Sequence, residues 1–383
     1  MMIVMFGCVL FWFLCIQQPG ESFVRMPEQS QIEQQDELAT GTSAQQETGA
    51  AKSTKTAPGA IGAPSTQQDA QKSSAKKQSF DFQARLEKHV EHLATKIGER
   101  NLGKYKALCD AADYIESELK SFGYQPKRQT YQVLGRDCFN IEAEIKGTKK
   151  PDEIVIIGGH YDSVRGTPGA NDNGSGTAAM LVLAEQFKKS KPEKTLRFVA
   201  WTNEEPPYFQ NRGEMGSWVY AEKCSKEKQD IAAVLSLETM GYFTDEKDSQ
   251  KYPPPLNLLY PSTGNFIGFV GNRGSAQLQR RAIKVFREHA KVPSEGASLP
   301  GSIQGVGWSD HWSFWKEGYV GIMITDTAPF RYPHYHRATD TPDQLNFPEM
   351  TKVVDGLVYV VEDLVAVAKD KIDEPDPGKE KGK

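Results

Sequence analysis

Residues 158–176, GGHYDSVRGTPGANDNGSG, set a histidine and two aspartates in a glycine-rich loop between two apolar segments. The segment before it, EIVIIGG, reads as a buried strand, and the one after it, TAAMLVLAEQFK (177–188), as a helix with an apolar face. A β-branched strand, a polar loop and a helix are how an α/β protein brings side chains to the carboxyl edge of its sheet, where open sheets bind ligands. His160 and Asp172 are therefore candidate metal ligands. On extended chain His160 and Asp162 project to the same side. Asp162 can then accept one imidazole N–H and leave the other nitrogen free for a cation. By itself the stretch reads equally well as a loop histidine hydrogen-bonded to an aspartate.

Upstream, FQARLEKHVEHLATKI (82–97) has apolar residues at helical spacing, and its His89 and His92, without partner ligands, are expected at the surface. A helix over 105–122 ends at Gly123. Alternating runs at 128–134 and 140–145 predict an antiparallel pair preceding the strand 153–158. Downstream, strand-like runs at 196–202, 232–238, 256–260 and 320–325 alternate with helical ones, notably 276–289 and 350–368. The pattern predicts an α/β three-layer sandwich, its central sheet mixed but mostly parallel and flanked by helices.

The rest of the 383 residues is of different character. Residues 1–16 are almost entirely apolar, with no charge before Glu21. Residues 1–20 read as a signal peptide or membrane anchor, shorter than the roughly 20 residues that span a bilayer and without a basic start or an A-x-A-like site. Export is expected, to an extracytoplasmic location. Cleavage, or membrane association through the retained segment, is left open. Residues 21–79, rich in Gln, Ser, Thr, Ala and Gly, read as a disordered tether, 80–370 as one globular domain, and 371–383 as a charged tail. A formal net charge of −4 offers no basic stripe, so nucleic-acid binding is not expected. Cys109, Cys138 and Cys224 could form one bridge at most, or remain three thiols.

Two later strands also stop at acids. LRFVAWT is followed by Asn203, Glu204 and Glu205, and AAVLSLE ends in Glu238. Neighbours on extended chain point opposite ways, so one glutamate of the pair can bind metal while the other acts as a base. PHYHRATDTPDQL adds His334 and His336, either of which could complete a site. His160, Asp172, Glu205, Glu238 and His336 form a mixed nitrogen and oxygen set that favours zinc over calcium or magnesium. Five ligands are more than one tetrahedral zinc needs, and with one bridging carboxylate they would serve two.

In their order, GGHYDSV, GANDNGSG, TNEEPP followed by MGSWVYA, LETMGY, GWSDHWSFW and YHRATDTPDQL resemble the co-catalytic di-zinc aminopeptidase family. That family also contains glutamate carboxypeptidase, transferrin receptor and glutaminyl cyclase branches, and the resemblance spans about residues 82–367. It implies two zinc ions per chain, with His160 and Glu238 on one, Glu205 and His336 on the other, and Asp172 bridging. It further implies Glu204 as general base, Tyr335 as the hydroxyl that stabilises the oxyanion, Asp310 in a supporting position and a cis Asp172–Asn173 peptide. Secreted aminopeptidases of the family commonly carry aspartate in place of Glu238, and some carry arginine in place of Trp308; both positions bear on substrate selection.

The function so implied is an exported aminopeptidase acting on peptides through a water activated by Glu204. Trp308, Phe314 and Phe330 are expected to wall an apolar pocket that favours leucyl and phenylalanyl over glutamyl and lysyl substrates. The alternatives are a carboxypeptidase, which would need a basic cluster not identified in the sequence, a one-zinc glutaminyl cyclase-like acyl transferase, and a catalytically silent interaction protein.

Overall fold

The structure, a computed structural model, describes residues 82–367, so the expectations for 1–79 and 371–383 lie outside the described residues. Among the described residues there are eight strands in one sheet: β1 Lys127–Val133, β2 Arg136–Ile145, β3 Lys150–His160, β4 Lys194–Trp201, β5 Asp230–Glu238, β6 Ile267–Gly271, β7 Ser294–Ser298 and β8 Gly321–Thr325. Their order is β1-β2-β4-β3-β5-β8-β6-β7. The centre, β4-β3-β5-β8, is parallel throughout. The β1–β2 hairpin joins β4 antiparallel, and β6 runs antiparallel to β8 with β7 parallel to β6. The sheet is thus mixed and mostly parallel, as the alternation of strands and helices predicts.

Helices cover both faces. They are α1 (82–91, continued by a wider turn His92–Ile97), α2 Tyr105–Ser121, α3 Gly176–Phe187, α4 Gly216–Lys226, α5 Ala276–His289, α6 His311–Lys316 and α7 Phe347–Val365. Alternation along β3 divides the core. Val155 and Ile157 pack with Leu86, Ile115, Leu181, Phe286 and Val361 of the α1, α2, α3, α5 and α7 layer. Ile154 and Ile156 pack with Tyr220 and Ala221 of α4 and Phe314 of α6. A strand buried on both faces must be apolar at successive positions, which is why β3 reads as an unbroken hydrophobic run. Among the described residues no helix is long and apolar enough to cross a membrane.

Two expectations are corrected. Residues 256–260 are not a strand. Leu256–Leu258 form a single 3₁₀ turn, and Leu258 and Leu259 are 80 % and 74 % exposed. Pro253, Pro254 and Pro255 just before them have no N–H to give a ladder. Beyond β8 the sheet is instead completed by β6 (IGFVG) and then β7 (SEGAS), whose glycines and short polar residues carry little strand signal.

His89 is not a surface residue. It is 1 % exposed, with its Nδ1 2.7 Å from the Tyr114 hydroxyl on α2, while His92 stacks on the Tyr114 ring at 3.7 Å. Burial, aided by the Lys88, His92 and Arg85 charges, pushes the His89 imidazole down to about 3. A folded-state value below the ordinary 6.5 favours the neutral ring. Its contribution is complete above pH 6.5 and is lost as pH falls toward 3, at up to about 1.4 kcal/mol per pH unit for one proton. Urea unfolding between pH 6.5 and 4 should therefore give a shallower fall in stability for His89→Gln than for the parent chain. Equal slopes would move the acid sensitivity elsewhere.

Candidate active site

The carboxyl edge of the parallel strands gathers the polar residues. His160 is the last residue of β3 and Glu238 the last of β5, while Glu204 and Glu205 follow the end of β4. Asp172 lies in the loop between β3 and α3, and His336 in the segment after β8. The fold thus brings together residues that are far apart in the chain.

Asp172 faces two histidines with different oxygens. Its Oδ1 is 3.4 Å from His160 Nε2 and its Oδ2 is 3.1 Å from His336 Nε2. Glu238 Oε2 approaches His160 Nε2 at 3.2 Å, and Glu205 Oε2 approaches His336 Nε2 at 3.2 Å. The donors form two groups, His160, Asp172 and Glu238 in one and Asp172, Glu205 and His336 in the other, each with its atoms within 4.8 Å of one another. Glu204 belongs to neither group, but its Oε2 lies 3.7 Å from His160 Nε2. The two adjacent glutamates therefore serve different histidines.

These residues fit cations. His160 Nδ1 and Nε2, Asp172 Oδ1 and His336 Nε2 are buried without a hydrogen-bond partner, a costly state unless something else satisfies them. The electrostatics agree. Burial works against a charged His336, yet the facing Asp172 and Glu205 carboxylates outweigh it and raise the imidazole to about 11. Burial pushes the Glu204 carboxyl well above the usual carboxylate range; Glu238, Glu205 and Asp310 add to this, against the pull of His160. Positive charge is wanted here, and imidazole with carboxylate is a donor set that takes zinc readily.

Supporting residues hold the geometry. The Asp162 carboxylate faces His160 Nδ1 at 3.4 Å, and its two oxygens also accept the backbone N–H groups of Glu204 and Glu205 at 3.2 Å each. Three further supports carry little sequence signal. Ser309 donates to Glu238 Oε2 at 2.8 Å. Asp340 accepts the N–H groups of Asn171 and Asp172 and the Tyr332 hydroxyl, which fixes the loop bearing Asp172. Arg100, fully buried, donates to the carbonyls of Tyr161, Pro168 and Gly169 at 2.5–2.7 Å and ties down the ends of that loop. Asp340 stands inside the quoted YHRATDTPDQL motif, so its position was visible although its role was not; nothing local marks Arg100. The Asp172–Asn173 peptide is cis.

Asp310 is fully buried behind the site, and burial raises its carboxyl to about 7. Tyr335 stacks on the His336 ring at 3.9 Å and lines, with Glu238, a cavity of about 100 Å³. Trp308 and Phe330 also line it, their rings within 14° of parallel and 6.4 Å apart. Phe314 does not. It lies on α6 in the core between that helix, α4 and the sheet, 5.6 Å from the Trp201 ring, where helix packing rather than the loop's course decides its direction. Cys109, Cys138 and Cys224 are free thiols. His334, the other histidine of its segment, is half-buried, with Nδ1 2.8 Å from the Thr339 hydroxyl.

A family model, Peptidase family M28, matches residues 140–361. Uncharacterized protein YfbL of Escherichia coli (strain K12) is 34 % identical over 285 residues, which cover 72 % of this chain and 86 % of that protein. An aminopeptidase of Pseudomonas aeruginosa is 33 % identical over 164 residues, covering 43 % of this chain but 27 % of its own length. The chain thus spans well under half of that enzyme. Among solved structures, BSAP, a zinc aminopeptidase from Bacillus subtilis, superposes with a TM-score of 0.59 at 17 % identity, over 76 % of this chain and 96 % of that one, which establishes likeness of fold.

Proposed function

The chain belongs to peptidase family M28 and is an enzyme of the metallopeptidase class, and on that premise we propose that it is an exported zinc aminopeptidase releasing amino-terminal residues, apolar ones among them, from peptides. One observation carries the reading. The two oxygens of Asp172 face His160 and His336 separately, with a spare carboxylate, Glu204, 3.7 Å from His160 and a cavity opening beside them.

Two zinc ions would be held by His160, Asp172 and Glu238 and by Asp172, Glu205 and His336. When bound, they supply Lewis acidity toward the scissile carbonyl and toward water. The protein supplies the rest. Glu204, whose carboxyl burial makes more basic, takes the proton of the attacking water and passes it to the leaving amine. Asp162 keeps Glu204 and Glu205 in register through their backbone amides, and the Tyr335 hydroxyl donates to the developing oxyanion. The ammonium of a free amino terminus is attracted to the carboxylates of Glu204 and Glu238.

A leucyl peptide with a free amino terminus should be cleaved at least about 100-fold faster than its acetylated form, because acetylation removes the ammonium that those carboxylates receive. Equal rates would remove the aminopeptidase assignment. Within free peptides, leucyl and phenylalanyl should exceed glutamyl, since the aromatic walls favour apolar groups by about 25 cal/mol per Å² removed from water. Export through residues 1–20 belongs to the same reading. Fractionation of cells expressing the full chain tests it, and recovery in the cytosol would overturn it.

A further inference from the structure

The cavity beside the site runs along the sheet from Glu238 to Glu295. Its floor is the face of the sheet on the side away from α5 and α7, and strand register defines its length. Glu238 on β5 pairs with Thr325 on β8, Thr325 with Gly268 on β6, and Gly268 with Glu295 on β7. All four line the cavity. Directly paired residues project to the same face, so these four form one straight row across the sheet. Three strand spacings separate its ends, about 14 Å. A parallel row, Met323–Val270–Ala297, completes the floor.

The row changes character along its length. It begins at the catalytic carboxylates, passes over Thr325 and the bare backbone of Gly268, and ends at another carboxylate. The walls between are apolar or aromatic: Trp308, Phe330, Phe266 and Leu256, with Tyr252 and Tyr260 over the far half. The hydroxyls of both tyrosines are committed to backbone carbonyls, Tyr252 to Pro261 and Tyr260 to Gly296. Glu295 therefore has no hydroxyl partner there.

The cations nearby do not neutralise Glu295 at hydrogen-bond distance. The Arg287 guanidinium is 4.0 Å away and donates to Ser294 instead. Arg331 lies over the Phe266 ring at 4.4 Å and donates to Gln250 and to the carbonyls of Gly264 and Phe266. The far end of an apolar groove thus presents a carboxylate with unused acceptor capacity.

We propose that Glu295 is a specificity-determining residue and that this enzyme accepts amino-terminal residues with a long apolar stem and a terminal cation, arginine foremost and lysine after it. The proposal rests on the aminopeptidase reading and deepens it. It also reverses the expectation that lysyl substrates are disfavoured along with glutamyl ones. The methylenes of an arginine lie along the aromatic walls, as amphipathic side chains do, and the guanidinium fork meets the Glu295 carboxylate. Leucine occupies only the near half of the groove. Glutamate would set like charge against Glu295.

The test compares arginyl peptides with citrullyl ones, which keep the shape of arginine but lack its charge. The parent enzyme should show an arginyl-to-citrullyl ratio of kcat/KM of about ten, a modest value because the Glu295 side chain is 34 % exposed and partly screened. Glu295→Gln should bring that ratio close to one. A ratio of one in the parent, or an unchanged ratio in Glu295→Gln, would overturn the proposal. Cleavage of leucyl peptides without charge preference leaves the aminopeptidase reading intact and removes the role of Glu295. Absence of cleavage of every peptide with a free amino terminus removes both.

Discussion

Glu204→Gln is expected to retain the zinc content of the parent chain while kcat falls by about 10²-fold or more. The substitution keeps the size of the side chain and removes its ability to accept a proton. Structurally it touches little that holds the site together. Glu204 is outside both donor groups, and the backbone N–H by which Asp162 fixes this turn is unaffected by the side chain. A general base contributes to kcat more than to KM, since its work is done in the transition state. Metal analysis of the purified variant together with steady-state kinetics on a leucyl peptide decides the matter. Loss of zinc from Glu204→Gln would make Glu204 a ligand and leave the reaction without its assigned base.

Asp172→Ala should have the widest effect of any ligand substitution, because Asp172 is common to both donor groups. His336→Ala takes a donor from only one group, leaving His160, Asp172 and Glu238 in place. Bound zinc in Asp172→Ala is therefore expected to fall below one ion per chain, against about one in His336→Ala. Activity in the aspartate variant should drop by about 10³-fold or more, as several kcal/mol of Lewis-acid stabilisation disappear. The loss goes beyond one ligand. Without the Asp172 carboxylate, the buried His160 and half-buried His336 imidazoles lose the negative charge that faces them both. Equal zinc content in the two variants would show that the aspartate does not bridge.

The proposed ligands His160, Glu205 and Glu238 and the proposed base Glu204 were legible in the sequence because each interrupts a strong local pattern. An apolar strand that stops at a histidine or acid marks the carboxyl edge of a sheet, and His160, Glu204, Glu205 and Glu238 all sit at such stops. The order of the motifs added His336 and, through the family resemblance, the expectation that Asp172 bridges. The same local signal failed where it was weak or ambiguous. Residues 256–260 resemble a strand in composition, but the prolines ahead of them and the exposed Leu258 and Leu259 belong to a turn that roofs the cavity. β6 and β7 escaped notice because glycine and serine give no alternation to read.

What only the tertiary structure decided is which side chains meet across long separations. Phe314 and Phe330 look equivalent in a sequence of aromatics around the site, yet one packs beneath Trp201 and the other lines the cavity. Arg100 and Asp340 brace the loop of Asp172 from opposite ends of the domain, and no spacing rule links them to it. The row from Glu238 to Glu295 exists only through the register of four strands. Residue type and local periodicity specify what chemistry a segment can offer and whether it is strand or helix. Register and packing depend on the summed burial of distant segments, so the partner of each side chain is determined by the whole core.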